Sequence, residues 1–374
     1  MPDFSQPFDA IDGWVRDGTV RGASAAVWHR GEIVMARTAG LAAEGRPVRD
    51  DTLFALASVS KPITATAVMK AVDDGDLSLD TPVAAIVPEF GEVDDPLGDD
   101  VLPQLEALRE RVTVRHLLCH TSGLPENIGV KRIRIRDLPT LEHLNDAICG
   151  LPLQSAPGEL LRYSNAGFGI AARALELATG VPFHDYLQTR VLDPMCLTDI
   201  ATRPDPSWND RLTQTDDAAS AGTPAESYNS PYWRALGIPW GGYFGTATAL
   251  ATFAGSFVTG ASSVLSDAAW REMIVDQTGG VPGGVGTAGV HWDRGAWGLG
   301  WEVAGDKRHH WTGSLRSPRS FCHWGQSGTL VWADPDRELA LAVFGNRAVH
   351  RPWPLKPPRW AQLSDELVRV ADRA

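Results

Sequence analysis

Apolar positions along this chain follow two rhythms: short β-rich runs near the ends and helical spacing through the middle. Phe8, Ile11, Trp14 and Val15 recur three to four residues apart, which predicts an amphipathic helix within residues 8–20. Two β-rich runs over 23–40 flank Arg30-Gly31 and predict a hairpin. Helical spacing returns over 59–73, 114–119, 141–148, 167–179 and 182–192. Gly180 is placed to end the fourth of these and Pro182 to start the fifth. The acidic stretch 89–105 and the polar, Pro-rich stretch 204–239 lack periodicity and read as surface loops. Residues 246–257 and 266–274 are again helical, then strands are predicted at 297–303, 320–323, 330–333 and 338–344. Asp334 to Arg337 reads as the loop of the last hairpin, and 359–371 as a closing helix.

Strands at both ends with helices between them predict a mixed α/β (α+β) fold. An antiparallel sheet is built from both termini and flanked by the terminal helices, with a mostly helical domain inserted. The division expected is 1–68 with 246–374 for the sheet domain and 69–245 for the insert, the active site lying at their interface. With 374 residues, 43% hydrophobic and 21% charged, the chain is long enough for a sizeable core and far from a disordered composition. A net charge of −12 argues against nucleic acid or an anionic membrane surface as a partner. No apolar run approaches the ~18 residues of a membrane span, and the N-terminus has no export signal, so a cytoplasmic location is expected. Cys119, Cys149, Cys196 and Cys322 form no CxxC pattern and read as buried free thiols of a reducing compartment.

Several local patterns carry little. Gly284 to Gly289 matches GxGxxG literally, but it sits in a glycine-crowded stretch with no clear strand before it and no helix after it. His116 and His120 stand four apart around Cys119, yet no third ligand accompanies them, so they read as structural and no metal is expected. Lys131 to Arg136 alternates basic and apolar residues, a solvated face that would attract an acidic substrate group only if it bordered a cleft. Ser327, within Gly325-Gln326-Ser327-Gly328, matches a nucleophile elbow only in part.

Ser58-Val59-Ser60-Lys61 is the stronger signal. A serine needs a neighbouring base to become a nucleophile, and three residues apart at a helix start place Lys61 on the same face. Unpaired N–H groups at such a start can also bind an oxyanion. Tyr163-Ser164-Asn165 supplies a tyrosine whose phenoxide a lysine ammonium would favour, and an amide able to orient an acyl group. His323-Trp324-Gly325 ends a strand-like run, where the glycine would let a substrate approach the strand edge. The ordered set S-x-x-K, Y-x-N, H-x-G is far more specific than any one element.

In these three motifs the chain resembles the serine β-lactamase and D,D-peptidase superfamily, and within it the class C β-lactamase-related branch that includes family VIII carboxylesterases. The run from Val112 to Pro125, Pro157-Gly158, Gly241-Gly242 and Gly298 to Trp301 are similar to further landmarks of that family. The resemblance implies the β-lactamase/transpeptidase-like fold and a covalent acyl-enzyme on Ser58. It gives Lys61 and Tyr163 the proton transfers, Asn165 the acyl side chain, and the backbone N–H groups of Ser58 and Gln326 the oxyanion hole. His323, Trp324 and Gly325 would line the substrate site, and no metal or organic cofactor is implied. His323 stands where penicillin-recognising members carry lysine, which weakens the case for β-lactams. Trp324, with Trp240, Tyr243, Trp292 and Trp297, is expected to shape an aromatic pocket. The expected activity is hydrolysis or transfer of an acyl group from a small ester. An amide-directed enzyme (D-aminopeptidase, amidase or weak β-lactamase) is the alternative, and a non-catalytic binding protein of the same fold is the rival of another class. Oligomeric state is not legible in the sequence.

Overall fold

The computed structural model describes residues 2–91, 104, 107–127, 133–260, 264–308, 310–349, 353–356 and 358–373. Its main sheet has seven strands: β1 Gly22–His29, β2 Glu32–Ala43, β3 Arg46–Pro47, β4 Glu302–Val303, β5 Phe321–Gly325, β6 Thr329–Asp334 and β7 Leu339–Gly345. Their order is β4-β5-β6-β7-β1-β2-β3, antiparallel throughout, so the two chain ends meet where β7 pairs with β1. At the β1–β2 turn Arg30 and Gly31 have φ of 50° and 101°, the left-handed pair that a two-residue hairpin requires.

The central strands bury both faces. In β7, Ala340, Ala342 and Phe344 join one core and Leu339, Leu341 and Val343 the other. β1 divides likewise, with Ala26 and Trp28 against Ala23, Ala25 and Val27. Helix Ala247–Thr259 lies across β1, β6 and β7 on the first face. Helices Asp9–Arg16 and Arg359–Ala371 cover the second, where burial of Trp360, Leu363 and Leu367 contributes about 2 kcal/mol each. On that face six indoles form a chain. Trp14, Trp353, Trp360, Trp324, Trp311 and Trp292 follow one another with ring centroids 6.0, 5.9, 6.4, 5.7 and 6.0 Å apart.

Helix Ser60–Asp73 is buried on nearly every side, as its lack of an amphipathic stripe demands. Between it and β4 lie helices Val114–Leu118, Leu141–Cys149 and Ala166–Thr179, the last ended by Gly180 at φ 69°. Two small sheets complete the frame. In one, Phe54–Ala55 and Ile200–Ala201 flank Phe244–Gly245; in the other, Leu161–Arg162 and Val290–Trp292 flank Gly283–Val285. The literal GxGxxG therefore belongs to a hairpin and opens no helix.

Several expectations need correction. The strand expected over 297–303 is confined to Glu302–Val303, because Gly298 and Gly300 turn the chain against its neighbours. A Cβ on Gly298 would lie 2.1 Å from Met273 O, and one on Gly300 would lie 2.5 Å from Ala65 Cβ. The helix expected over 182–192 is helical only at Phe183–Leu187 and widens into a π turn at Gln188–Leu192. The excursion 204–239 is not purely superficial: Leu212, Tyr228, Leu236 and Ile238 are buried. Cys196 is exposed, whereas Cys119, Cys149 and Cys322 are buried and free. Of the basic run, Lys131 and Arg132 lie outside the described residues, as does most of the acidic stretch 89–105; Arg134 and Arg136 are exposed. No helix among the described residues is long and apolar enough to cross a membrane.

Candidate active site

Ser58 sits in the 3₁₀ turn Ala57–Val59 that feeds helix Ser60–Asp73. The turn is held in a sparsely populated conformation, with Ala57 at φ 46°. Its restraints come from both sides. Leu56 N–H donates to Tyr243 O at 2.8 Å, Thr329 Oγ1 donates to Leu56 O at 2.9 Å, and the Ser327 hydroxyl donates to Ala55 O. Ser327 is thereby buried and committed to the backbone, while Ser58 remains half-exposed at the cleft.

Lys61, fully buried, meets three oxygens. Its Nζ lies 2.8 Å from Asn165 Oδ1, 2.7 Å from Trp240 O and 3.1 Å from Ser58 Oγ. A neutral amine has two N–H groups and one lone pair. The amide and backbone oxygens can only accept, so in the neutral amine they take both N–H groups and leave the lone pair for the Ser58 hydroxyl, whereas in the ammonium the third N–H donates to Ser58 Oγ. Burial favours the neutral state, pushing the lysine pKa well below its ordinary value against a smaller upward pull from the Glu126 carboxylate.

Tyr163 follows the short strand Leu161–Arg162, and its N–H donates to Gly284 O at 3.1 Å. His120, itself at φ 61°, anchors this segment: its carbonyl accepts from Arg162 N at 2.8 Å and its Nδ1 from Ser164 N at 3.0 Å. The imidazole lies 4.4 Å from the Tyr163 ring and 4.8 Å from Trp297. His120 thus supports the Tyr163 segment, and His116 caps its own helix through Thr113. Lys61 Nζ lies 4.9 Å from the Tyr163 ring centroid. The expectation that lysine favours the phenoxide is overturned. Burial raises the Tyr163 pKa far more than its hydrogen bond with Ser58 lowers it, and the same burial pushes the lysine beside it toward its neutral form.

Strand β5 brings the third motif to the cleft and continues through Gly325. The reason for glycine there differs from the one expected. A Cβ on Gly325 would lie 2.2 Å from Leu56 O and 3.2 Å from Ala57 Cβ, so the residue makes room for the Ser58 turn rather than for substrate. We expect Gly325→Ala to destabilise the fold by about 1–3 kcal/mol, read as a lower denaturant midpoint at unchanged slope. His323 Nδ1 lies 3.0 Å from Trp324 O, and burial holds its pKa at about 3, so the ring is neutral.

These groups line one cavity of about 520 Å³ that includes Ser58, Tyr163, Asn165, His323, Trp324 and the side of Gln326. Trp240 and Trp297 line it as expected. Tyr243 is buried behind it, bonded to Thr64, and Trp292 packs against Trp311. Sequence reasoning missed Glu126, Asn127, Tyr228 and Glu302 on the walls, and the Trp240 carbonyl on Lys61. Asn127 meets Asn165 Nδ2 at 3.5 Å. Glu302, His310 and Cys322 bring possible ligand atoms within 4.8 Å of one another. However, Lys307 Nζ already pairs with Glu302 at 2.9 Å and His310 Nε2 lies at 2.8 Å. Burial raises the Glu302 pKa, but these neighbours outweigh it and hold the carboxyl at about 2.

A serine on a strained turn at a sheet edge, backed by a buried lysine and faced by a tyrosine from the helical part, defines the β-lactamase-like class of serine proteins. The chain belongs to the Beta-lactamase family, whose model matches residues 8–364. It is 38% identical over 206 residues to "Esterase EstB" of Burkholderia gladioli, covering 51% of this chain and 50% of that protein. It is 31% identical over 239 residues to "Penicillin-binding protein 4" of Amycolatopsis lactamdurans, covering 62% and 56%. These alignments thus span about half the length of the curated relatives. A solved "family VIII carboxylesterase" superposes with a TM-score of 0.79 over 99% of this chain and 98% of that one; at 22% identity, this is a likeness of fold.

Proposed function

We propose that this protein is a serine esterase or acyltransferase that works through a covalent acyl-enzyme on small esters. The observation that carries the reading is the Lys61 contact set, which fixes Nζ 3.1 Å from Ser58 Oγ, within reach of the serine proton once the amine is neutral. Lys61 accepts the Ser58 proton as the hydroxyl attacks the ester carbonyl. The tetrahedral oxyanion is held by the backbone N–H groups of Ser58 and Gln326. Tyr163, kept protonated by burial, donates its proton to the departing alcohol and recovers one from Lys61. Asn165 holds Lys61 and orients the acyl group; His323 and Trp324 line the wall of the cavity. Water or a second alcohol then takes the acyl group. The likeness to an esterase supports this reading, and the neutral His323 argues against capture of a β-lactam carboxylate.

In the same reading the sheet part, 1–68 with 246–374, and the helical part, 69–245, meet at the active site. The protein works on small molecules in the cytoplasm, where its four free cysteines would stay reduced. The acidic surface offers no footing for nucleic acid or an anionic membrane.

A fluorophosphonate probe followed by peptide mass spectrometry should place the adduct on Ser58. Short-chain p-nitrophenyl esters should be turned over at least about 10²-fold faster than a chromogenic cephalosporin, because no lysine or arginine stands among the described residues lining the cavity to meet the carboxylate. Faster cephalosporin turnover would replace the esterase assignment with the amide-directed one. Absence of any serine adduct would point to a binding protein.

A further inference from the structure

Two of the polar residues that line the cleft, His323 and Glu126, present acceptors. His323 Nδ1 faces the Trp324 carbonyl, which can only accept, so Nδ1 carries the ring proton. Nε2 then bears the lone pair; it is buried and without a partner, on a ring that lines the cleft. Across the cavity, Glu126 presents a half-buried carboxylate. Thr287 holds it in place, its N–H donating to Oε2 at 2.9 Å and its hydroxyl to Oε1. Gly286 leaves the space this needs, since a Cβ there would lie 2.9 Å from Oε2. A carboxylate fixed by two donors still has lone pairs free for a ligand.

Among the described residues lining the cavity, the charged side chains are Glu126 and Glu302, and Glu302 is matched by Lys307. Arg162 lines a neighbouring cavity of about 380 Å³ that shares Glu126 and Tyr163, but its Nη1 donates to Gln154 at 3.1 Å. Lys61 stands behind Ser58, saturated by its own contacts. Among the described residues that line the cavity, Glu126 is therefore the charge without an ion-pair partner.

We propose that the cleft selects esters carrying a cationic hydrogen-bond donor, such as an ammonium group, and turns away carboxylates, with Glu126 as the residue that sets the preference. The inference rests on the esterase reading above. An ammonium donates to Glu126, whereas a carboxylate meets a like charge there. A single charge at contact range in a partly solvated cleft changes kcat/KM by about tenfold in each direction.

The test uses three acetates of matched size: 3-(aminomethyl)phenyl, 3-ethylphenyl and 3-(carboxymethyl)phenyl acetate. At low salt the native protein should rank them in that order, with at least about a tenfold ratio of kcat/KM between the first and last, and added salt should shrink the ratio. In Glu126→Gln the ratio should fall to within about threefold, since one charge is removed. Equal rates for the three esters, a reversed order, or a ratio unchanged in Glu126→Gln overturns the inference. If the variant does not fold, a native ratio indifferent to salt overturns it. Failure of the native protein to hydrolyse 3-ethylphenyl acetate overturns the esterase reading instead.

Discussion

Ser58→Ala and Lys61→Met should each lower kcat toward small esters by about 10⁴-fold or more, and the double variant should lose little beyond either single one. The non-additivity is the informative part. Without the lysine lone pair the serine hydroxyl has no acceptor for its proton; without the hydroxyl the lone pair has nothing to activate. Multiplying losses in the double variant would mean that the two residues act separately, against the 3.1 Å contact between them. The same pairing fixes the pH profile. A protonated Lys61 cannot take the serine proton, so kcat/KM rises with pH as the amine is freed. Because burial depresses this pKa, the plateau is reached well below the pH at which an exposed lysine titrates. The stability term has the same sign. The unfolded chain binds the proton more tightly, so this group's contribution is complete above the unfolded pKa and fades as pH falls through the folded one. A rise in activity only at strongly alkaline pH would remove Lys61 from the role of base.

Tyr163→Phe should lower kcat for alkyl esters by more than about 10², and for p-nitrophenyl esters by much less. An alkoxide is a poor leaving group and needs the phenol proton, whereas p-nitrophenolate departs without it. The burial that keeps Tyr163 protonated is what suits it to this step. Equal losses for both kinds of ester would assign the tyrosine to the attack on the carbonyl, and near-normal turnover of alkyl esters would remove it from the reaction.

The proposed catalytic constellation was legible because its chemistry is written in side chains: a serine and a lysine three apart, a tyrosine before a helix, a histidine and glycine ending a strand. The sheet strands were legible through β-branched and apolar content, although the strands of β7 and β1 hide their alternation by burying both faces. What escaped is carried by the backbone or by long-range packing. The Trp240 carbonyl that holds Lys61 has no signature in residue type. Glu126 gains its meaning from Thr287, far along the chain. The excursion that carries Tyr228 and Ile238 looked polar because only scattered positions in it turn inward. The turn at Gly298 and Gly300 imitated a strand, since its spacing is set by contacts with Met273 and Ala65 that no local pattern announces. The tyrosine ionisation was misjudged for a related reason: burial acts on the lysine and the phenol together, and sequence shows neither depth.

The file of six indoles that passes the cleft at Trp324 has an optical consequence. Neighbouring rings at these separations pass excitation among themselves before they emit, so light absorbed near the N-terminal helix can reach Trp324 on the cavity wall. A quenching acyl group lodged against that ring would dim the whole file, and the protein's own fluorescence becomes a clock for each turnover.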